Sequence, residues 1–177
     1  MVPAFERLRA EGRIGDWGIT GIGVPTDVIR ALSRGVKPAV VQAIANLMDS
    51  AGALRRYAEP SRPRDVIAAA KAQGLGVMGI RAVQAGALTA AVDRPLSAGS
   101  PDNADYARAA PFRALCETWG QDPAYIAHRY AVNIDGVDTL VLGVKNRAEL
   151  AQCIAAEADG PLEPDRLAAI EGLGLRG

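Results

Sequence analysis

Val137-Asp-Thr-Leu-Val-Leu-Gly-Val-Lys-Asn-Arg-Ala-Glu-Leu150 decides how this chain folds. The segment reads as a buried strand, Thr139 to Leu142, that ends at Gly143. It turns through Lys145 and enters a helix over Asn146 to Glu157. Gly143 lets another group approach the backbone closely, Lys145 supplies a point charge, and the first amides of the helix face outward. Such a turn holds an anion, because unpaired amides and the positive end of the helix dipole point at the same spot. Arg147 adds a second positive side chain. Glu149 supports a different reading of the same residues. Asn146-x-x-Glu149 is a capping-box pattern, so Glu149 is available simply to close the helix start.

Outward from that segment, the chain alternates short apolar strands with helices. A helix is expected from Pro3 to Glu11, stopped by Gly12, and a strand from Ile14 to Thr20. Pro25 and Thr26 open a helix through Leu32 that Gly35 ends. Ala39 to Gln42 is the second strand. Ser61-Arg-Pro63 leads into a helix from Asp65 to Gln73, with Gly74 as its C-terminal glycine. Gly76 to Ile80 is the third strand, and Ser97 to Ala104 reads as a polar loop. Helices follow at Tyr106 to Trp119 and at Pro123 to Val132, the second capped by Asp122. Pro164 to Glu171 makes the last helix. Four strand-helix units predict an α/β fold with a parallel sheet. Their strands are almost wholly apolar, as parallel strands are. Right-handed crossovers place the internal helices on one side of the sheet, an arrangement that suits a segment of a barrel more naturally than a doubly wound sheet. Gly18-Ile-Thr-Gly-Ile-Gly23 has the wrong glycine spacing for a dinucleotide fingerprint.

Composition bounds the function. The chain has 177 residues, as many basic as acidic, and 49% of them hydrophobic. That describes one ordinary domain over residues 1–177, with no general attraction to nucleic acid or anionic membrane. Cys116 and Cys153 give no metal spacing and suit a reducing, cytoplasmic setting.

Four stretches, in this order, resemble the C-terminal half of the aldo/keto reductase family. Phe5-Glu-Arg-Leu-Arg-Ala-Glu-Gly-Arg-Ile-Gly-Asp-Trp-Gly-Ile-Thr20 is similar to the approach to the family's fifth strand. Val41-Gln-Ala-Ile-Ala-Asn-Leu47 resembles the sixth, with its glutamine and asparagine-leucine pair. Gly76-Val-Met-Gly-Ile-Arg-Ala-Val-Gln-Ala-Gly-Ala-Leu88 resembles the seventh and its glycine-leucine loop. Val141-Leu-Gly-Val-Lys-Asn-Arg-Ala-Glu-Leu150 resembles the eighth and its cofactor-phosphate turn. The resemblance implies half of a (β/α) TIM barrel, from an oxidoreductase that reduces aldehydes and ketones with NADPH, or alternatively NADH.

It also assigns roles. Gln42 falls where the family binds the nicotinamide carboxamide; pairing with loop backbone is its plainer reading. Thr20 and Gly21 stand where Ser-Asn or Thr-Asn is common, so a hydroxyl contact survives without the amide; a strand-ending turn is the alternative. Ile80 replaces a tyrosine that stacks on the nicotinamide, leaving an apolar wall or simple core. Arg81 is in reach of the pyrophosphate. Gly143, Lys145, Arg147 and Glu149 form the phosphate turn, where a second positive charge favours the 2′-phosphate of NADPH. Cys153 stands where relatives often have asparagine.

The family's Asp, Tyr, Lys and His catalytic set lies in the first half of its barrel. The chain starts just before the fifth-strand resemblance, so no catalytic residue is assigned here. His128 reads as a surface or packing residue, and Tyr57, Tyr106, Tyr125 and Tyr130 are rejected as proton donors. The expectation is the cofactor half of a carbonyl oxidoreductase, inactive alone. Competing with it are a non-catalytic half barrel that binds a nucleotide or a partner, and an unrelated phosphate-binding α/β module. Open sheet edges predict self-association, pairing with a complementary half, or aggregation.

Overall fold

The computed structural model describes residues 1–34 and 37–176. Its four strands are β1 (Gly18–Thr20), β2 (Val40–Ile44), β3 (Gly76–Ile80) and β4 (Thr139–Leu140). They pair in parallel in the order β1-β2-β3-β4. Its α-helices are α1 (Val2–Ala10), α2 (Pro25–Ser33), α3 (Pro63–Ala72), α4 (Pro101–Arg108), α5 (Ala110–Thr118), α6 (Pro123–Val132), α7 (Arg147–Ala158) and α8 (Pro164–Glu171). The strand order never reverses, so the sheet winds in one direction like a segment of a barrel.

Strand alternation separates the two faces of the sheet. Val41 and Ala43 of β2 and Val77 of β3 lie in one core with Leu32 of α2, Val66, Ile67 and Ala70 of α3, and Ile126 and Tyr130 of α6. Among the described residues, the helices therefore cover one face only. Residues of the other parity, Thr20, Gln42, Met78 and Thr139, stand side by side across all four strands. Gln42 and Met78 are half-buried, while Thr20 and Thr139 are exposed. A doubly wound sheet would have covered this row with a second helix layer. Gly79 explains how closely the units pack, since a Cβ there would lie 2.6 Å from Leu140 Cδ2 and 2.8 Å from Ala45 Cβ.

Several expected boundaries move. β1 starts at Gly18 rather than Ile14, because Trp17 is taken up by α1: its ring stacks on Phe5 at 5.6 Å and its Nε1 donates to Glu6 at 2.8 Å. The polar loop Ser97 to Ala104 ends early. Ser100 caps α4 by accepting from the Asn103 amide at 3.1 Å, and Pro101 fits the first helical position. The single helix expected over Tyr106 to Trp119 is two, broken at Ala109, where Pro111 has no N–H to continue the ladder. β4 was expected to be a buried strand reaching Leu142. It is a two-residue edge strand with Val141 and Leu142 exposed, because among the described residues nothing pairs on its outer side. Gly35 as the stop for α2 lies outside the described residues.

A buried polar network fixes the loops that leave β2 and β3. The Asn46 Oδ1 accepts from the amides of Met48 at 3.1 Å and Ser50 at 3.2 Å. Its Nδ2 donates to the carbonyls of Ser50 at 2.9 Å and Arg81 at 3.2 Å, and to Gln84 Oε1 at 3.3 Å. Gln84 Nε2 donates to Asp105 Oδ2 at 2.6 Å, tying α4 to the same knot. Asn46 and Gln84 are fully buried, and among the described residues no buried side-chain polar atom is left unpaired. Removing one member orphans several others in a low-dielectric setting. Asn46→Ala should therefore cost about 2–4 kcal/mol in urea unfolding at neutral pH. A loss near zero would show that the knot contributes nothing to stability.

Candidate functional site

The C-terminal ends of the strands gather the residues singled out from sequence into two neighbourhoods. The first lies on the open face. Thr20 Oγ1 donates to Gln42 Oε1 at 3.3 Å. Among the described residues no hydrogen bond runs from Gln42 Nε2 to protein, so its N–H groups are able to donate to a ligand. Ile80, half-buried, ends the adjacent strand in register with Ile44.

Arg81 leaves β3 in a left-handed conformation, φ 61°, and turns inward. Its Nε donates to Gln84 Oε1 at 2.9 Å, and a terminal nitrogen donates to Asp102 at 2.6 Å. Gln84 and Ala85 also have positive φ, 45° and 53°. Non-glycine residues held there cost on the order of 1–3 kcal/mol each and persist only where the surroundings hold them. Here the Asn46 and Gln84 network does the holding.

The second neighbourhood is a cleft of about 470 Å³ between the loop after β3, the start of α6 and the turn before α7. Gly86, Thr89, Asp93 and Arg94 line one wall, and Gly143 and Lys145 the other. Lys145 Nζ spans it, donating to Asp93 Oδ2 at 2.7 Å. That hydrogen bond raises the Lys145 pKa and lowers that of Asp93, so both stay charged across the neutral range.

Glu149 shapes the turn from below. Its carboxylate accepts from the Lys145 amide at 2.8 Å and from Asn146 Nδ2 at 3.1 Å. The Asn146 side chain in turn accepts from the Glu149 amide at 2.9 Å, so one half of the capping box forms, while the carboxylate takes the Lys145 amide instead of that of Asn146. Glu149 thus ties up the approach to the helix start, while its carboxylate also stands 3.7 Å from Lys145 Nζ. Arg147 is exposed and does not line the cleft. Thr20, Gln42, Ile80 and Arg81 do not line it either. Asp93 and Arg94 were not singled out from sequence. Their one signal is a charged pair in an otherwise apolar loop, and its target becomes visible only once β3 and β4 are neighbours.

The histidine, the second cysteine and the tyrosines weighed from sequence are placed as follows. Burial pushes His128 below its ordinary value and Cys153 above its own, and the Cys153 sulfur lies 3.8 Å from His128 Nε2. Near neutral pH this is an uncharged imidazole beside a thiol. Burial and a hydrogen bond to Glu171 push Tyr130 up, and a hydrogen bond to Asp159 does the same for Tyr125. Tyr106 lies under Arg113, whose guanidinium carbon is 3.9 Å from the ring centre.

The family model for the aldo/keto reductases matches residues 1–174. The chain belongs to the aldo/keto reductase family. Among solved structures it is similar to aldo-keto reductase AKR11C1 from Bacillus halodurans. The TM-score is 0.68 with 21% identity for both the holo and the apo form. The alignment covers 97% of this chain and 54% of the holo structure or 55% of the apo structure. The chain thus spans about half the length of those structures, and at that identity the likeness is one of fold. A comparison with curated proteins finds no match. Among the described residues, no helix is long and apolar enough to cross a membrane.

The lowered pKa of His128 predicts an acid limb in stability. The unfolded chain takes up the proton first, so the stabilisation is complete above the ordinary value of 6.5 and is lost as pH falls from there through the folded value. The slope is at most about 1.4 kcal/mol per pH unit. His128→Gln should flatten urea-unfolding stability between pH 7 and pH 5. An unchanged slope would exclude His128 as its source.

Proposed function

We propose that this chain is the side of a carbonyl-reductase barrel that grips a nicotinamide dinucleotide, NADPH in preference to NADH. The observation that carries the reading is the cleft in which Gly143 and Lys145 face the loop after β3. An open backbone, a lysine and a helix start meet there at the C-terminal edge of a parallel sheet. The donor set fits a phosphate. Lys145 is held by Asp93 at its tip and by Glu149 at its amide, so an arriving phosphate exchanges one anionic partner for another without moving the turn. Arg94, in the opposite wall, adds a second cation.

Roles follow for the other residues. Gln42, oriented by Thr20, donates to a carboxamide at the open face. Ile80 supplies an apolar wall there. Arg81 serves by bracing the loop from within, because its guanidinium is committed to Gln84 and Asp102. Arg147 supplies long-range positive potential to the 2′-phosphate from outside the cleft. The bound dinucleotide supplies the hydride for carbonyl reduction. No residue of this chain is assigned proton donation to the carbonyl, and on this reading the chain alone does not turn over aldehydes. A reducing, cytoplasmic setting suits the two free, buried cysteines. The second reading, a non-catalytic half barrel that binds a nucleotide or partner, draws on the apolar residues exposed around β4.

Fluorescence titration with each nucleotide tests the assignment. Lys145→Ala should weaken NADPH about tenfold more than NADH, since a charge-assisted contact is worth roughly 1.5–3 kcal/mol. Equal weakening would remove the 2′-phosphate role, and no binding of either nucleotide to the unaltered chain would remove the cofactor reading altogether.

A further inference from the structure

A cluster of charged side chains outside the cleft holds the loop that leaves β2. Asp49 in that loop has φ 50° and a side chain only 13% exposed. A non-glycine residue in the left-handed region persists where its surroundings hold it. Arg64, in the first turn of α3, does this. Its Nε donates to Asp49 Oδ1 at 2.7 Å, and its Nη2 donates to the Asn46 carbonyl at 3.4 Å and to the Tyr130 hydroxyl at 3.3 Å.

The segment after α8 reaches the same hydroxyl. Leu175 is buried in the core, and Arg176 follows it into the cluster. Arg176 Nη2 donates to the Tyr130 hydroxyl at 2.8 Å and to Glu171 Oε1, while its Nε stands 3.9 Å from Asp49 Oδ2. Tyr130 donates its own proton to Glu171. A hydroxyl has one proton and two lone pairs, so two arginines and one carboxylate use all of it. Two cations thus serve two carboxylates around one buried group. Arg64 takes Asp49 and Arg176 takes Glu171. Arg129 lines the same cavity but is committed to the carbonyls of Gly160 and Pro161. Without Arg176, Arg64 would face both carboxylates, and a half-buried carboxylate left without a cation draws the nearest one.

We propose that Arg176 is a positioning residue: by occupying Glu171 it leaves Arg64 to Asp49, and so sets the loop after β2. The segment after α8 is a strap on that loop. Its effect reaches the cleft, because Asn46 of the same loop bonds the Arg81 carbonyl and Gln84, where the cleft wall begins. The role holds whichever nucleotide, or none, the cleft takes.

Residue-resolved hydrogen exchange on the full chain tests the strap, read at the Met48 and Ser50 amides that donate to Asn46. Arg176→Ala should speed exchange at both by at least about fivefold, with the β3 and α7 amides within about twofold of the unaltered chain. Adding Glu171→Gln should return Met48 and Ser50 to within about twofold, since loss of the second carboxylate gives Arg64 back to Asp49. Acceleration spread evenly over the chain would reduce Arg176 to a general contribution to stability and overturn the proposal. So would unchanged exchange at Met48 and Ser50, or an Arg176→Ala effect that Glu171→Gln leaves in place.

Discussion

The knot of Asn46, Ser50, Arg81, Gln84, Asp102 and Asp105 is the constraint on which the rest of the site depends. A buried amide is tolerated only where every polar atom finds a partner. Asn46 meets that condition by serving two backbones, its own loop through Met48 and Ser50 and the next loop through the Arg81 carbonyl. Gln84 extends it to α4, with Ser50 Oγ and Gln84 Nε2 converging on Asp105 Oδ2 at 2.5 and 2.6 Å. Arg81 closes the circuit at Asp102, which also accepts from the Ala53 amide at 3.0 Å. Neighbouring loops at the C-terminal edge are therefore one rigid piece. The left-handed turn at Gln84 and Ala85 survives because its strain is set against hydrogen bonds that no relaxed geometry would make.

That rigidity gives the cleft a fixed wall. The loop that lines it with Gly86, Thr89 and Arg94 starts from the braced Gln84, while the facing turn is held by the bonds of Glu149 to Lys145 and Asn146. Among the described residues, only the Lys145 and Asp93 pair crosses between the two, and both partners are exposed at the surface. An exposed ion pair contributes little to stability, with typical values of about 0–1 kcal/mol. It opens at little cost when a stronger anion arrives. The arrangement thus combines costly, buried interactions where position must be kept with a cheap, screened one where exchange is needed.

Much of this is legible in the residues. Strand-helix alternation, the apolar strands and the glycine stops place the four units, because hydrophobic period and turn chemistry are local properties. Asp122, Asn146 and Glu149 are readable as caps for the same reason, and Asp122 does accept from the Ala124 and Tyr125 amides. What escapes is non-local. Nothing near Asp93 in sequence announces Lys145, 52 residues on. Arg81 reads as a phosphate ligand until Asp102 is brought beside it. The exposure of Val141 and Leu142 is equally hidden, since an apolar run reads as buried whether or not a neighbour exists to bury it. Pro111 was available as a helix breaker, yet the apolar periodicity of Tyr106 to Trp119 outweighs one proline in a reading by pattern.

α7 joins the cleft to the apolar residues exposed around β4. Its N-terminus builds the turn through Asn146 and Glu149, and its stripe of Leu150 and Ile154 is exposed. His128 and Cys153 line both the cleft and a groove of about 280 Å³ between α6, β4 and α7, so a single layer of side chains separates them. The helix packs on α6, with Cys153 beside His128 and with Tyr125 and Arg129 bonded to Asp159 at its C-terminal end, and the strand that precedes it is only two residues long. A helix fastened along one side defines the height of its first turn less tightly than one fastened along two. The position of Lys145 over the cleft is therefore set by the bonds of Glu149 to the Lys145 amide and the Asn146 side chain.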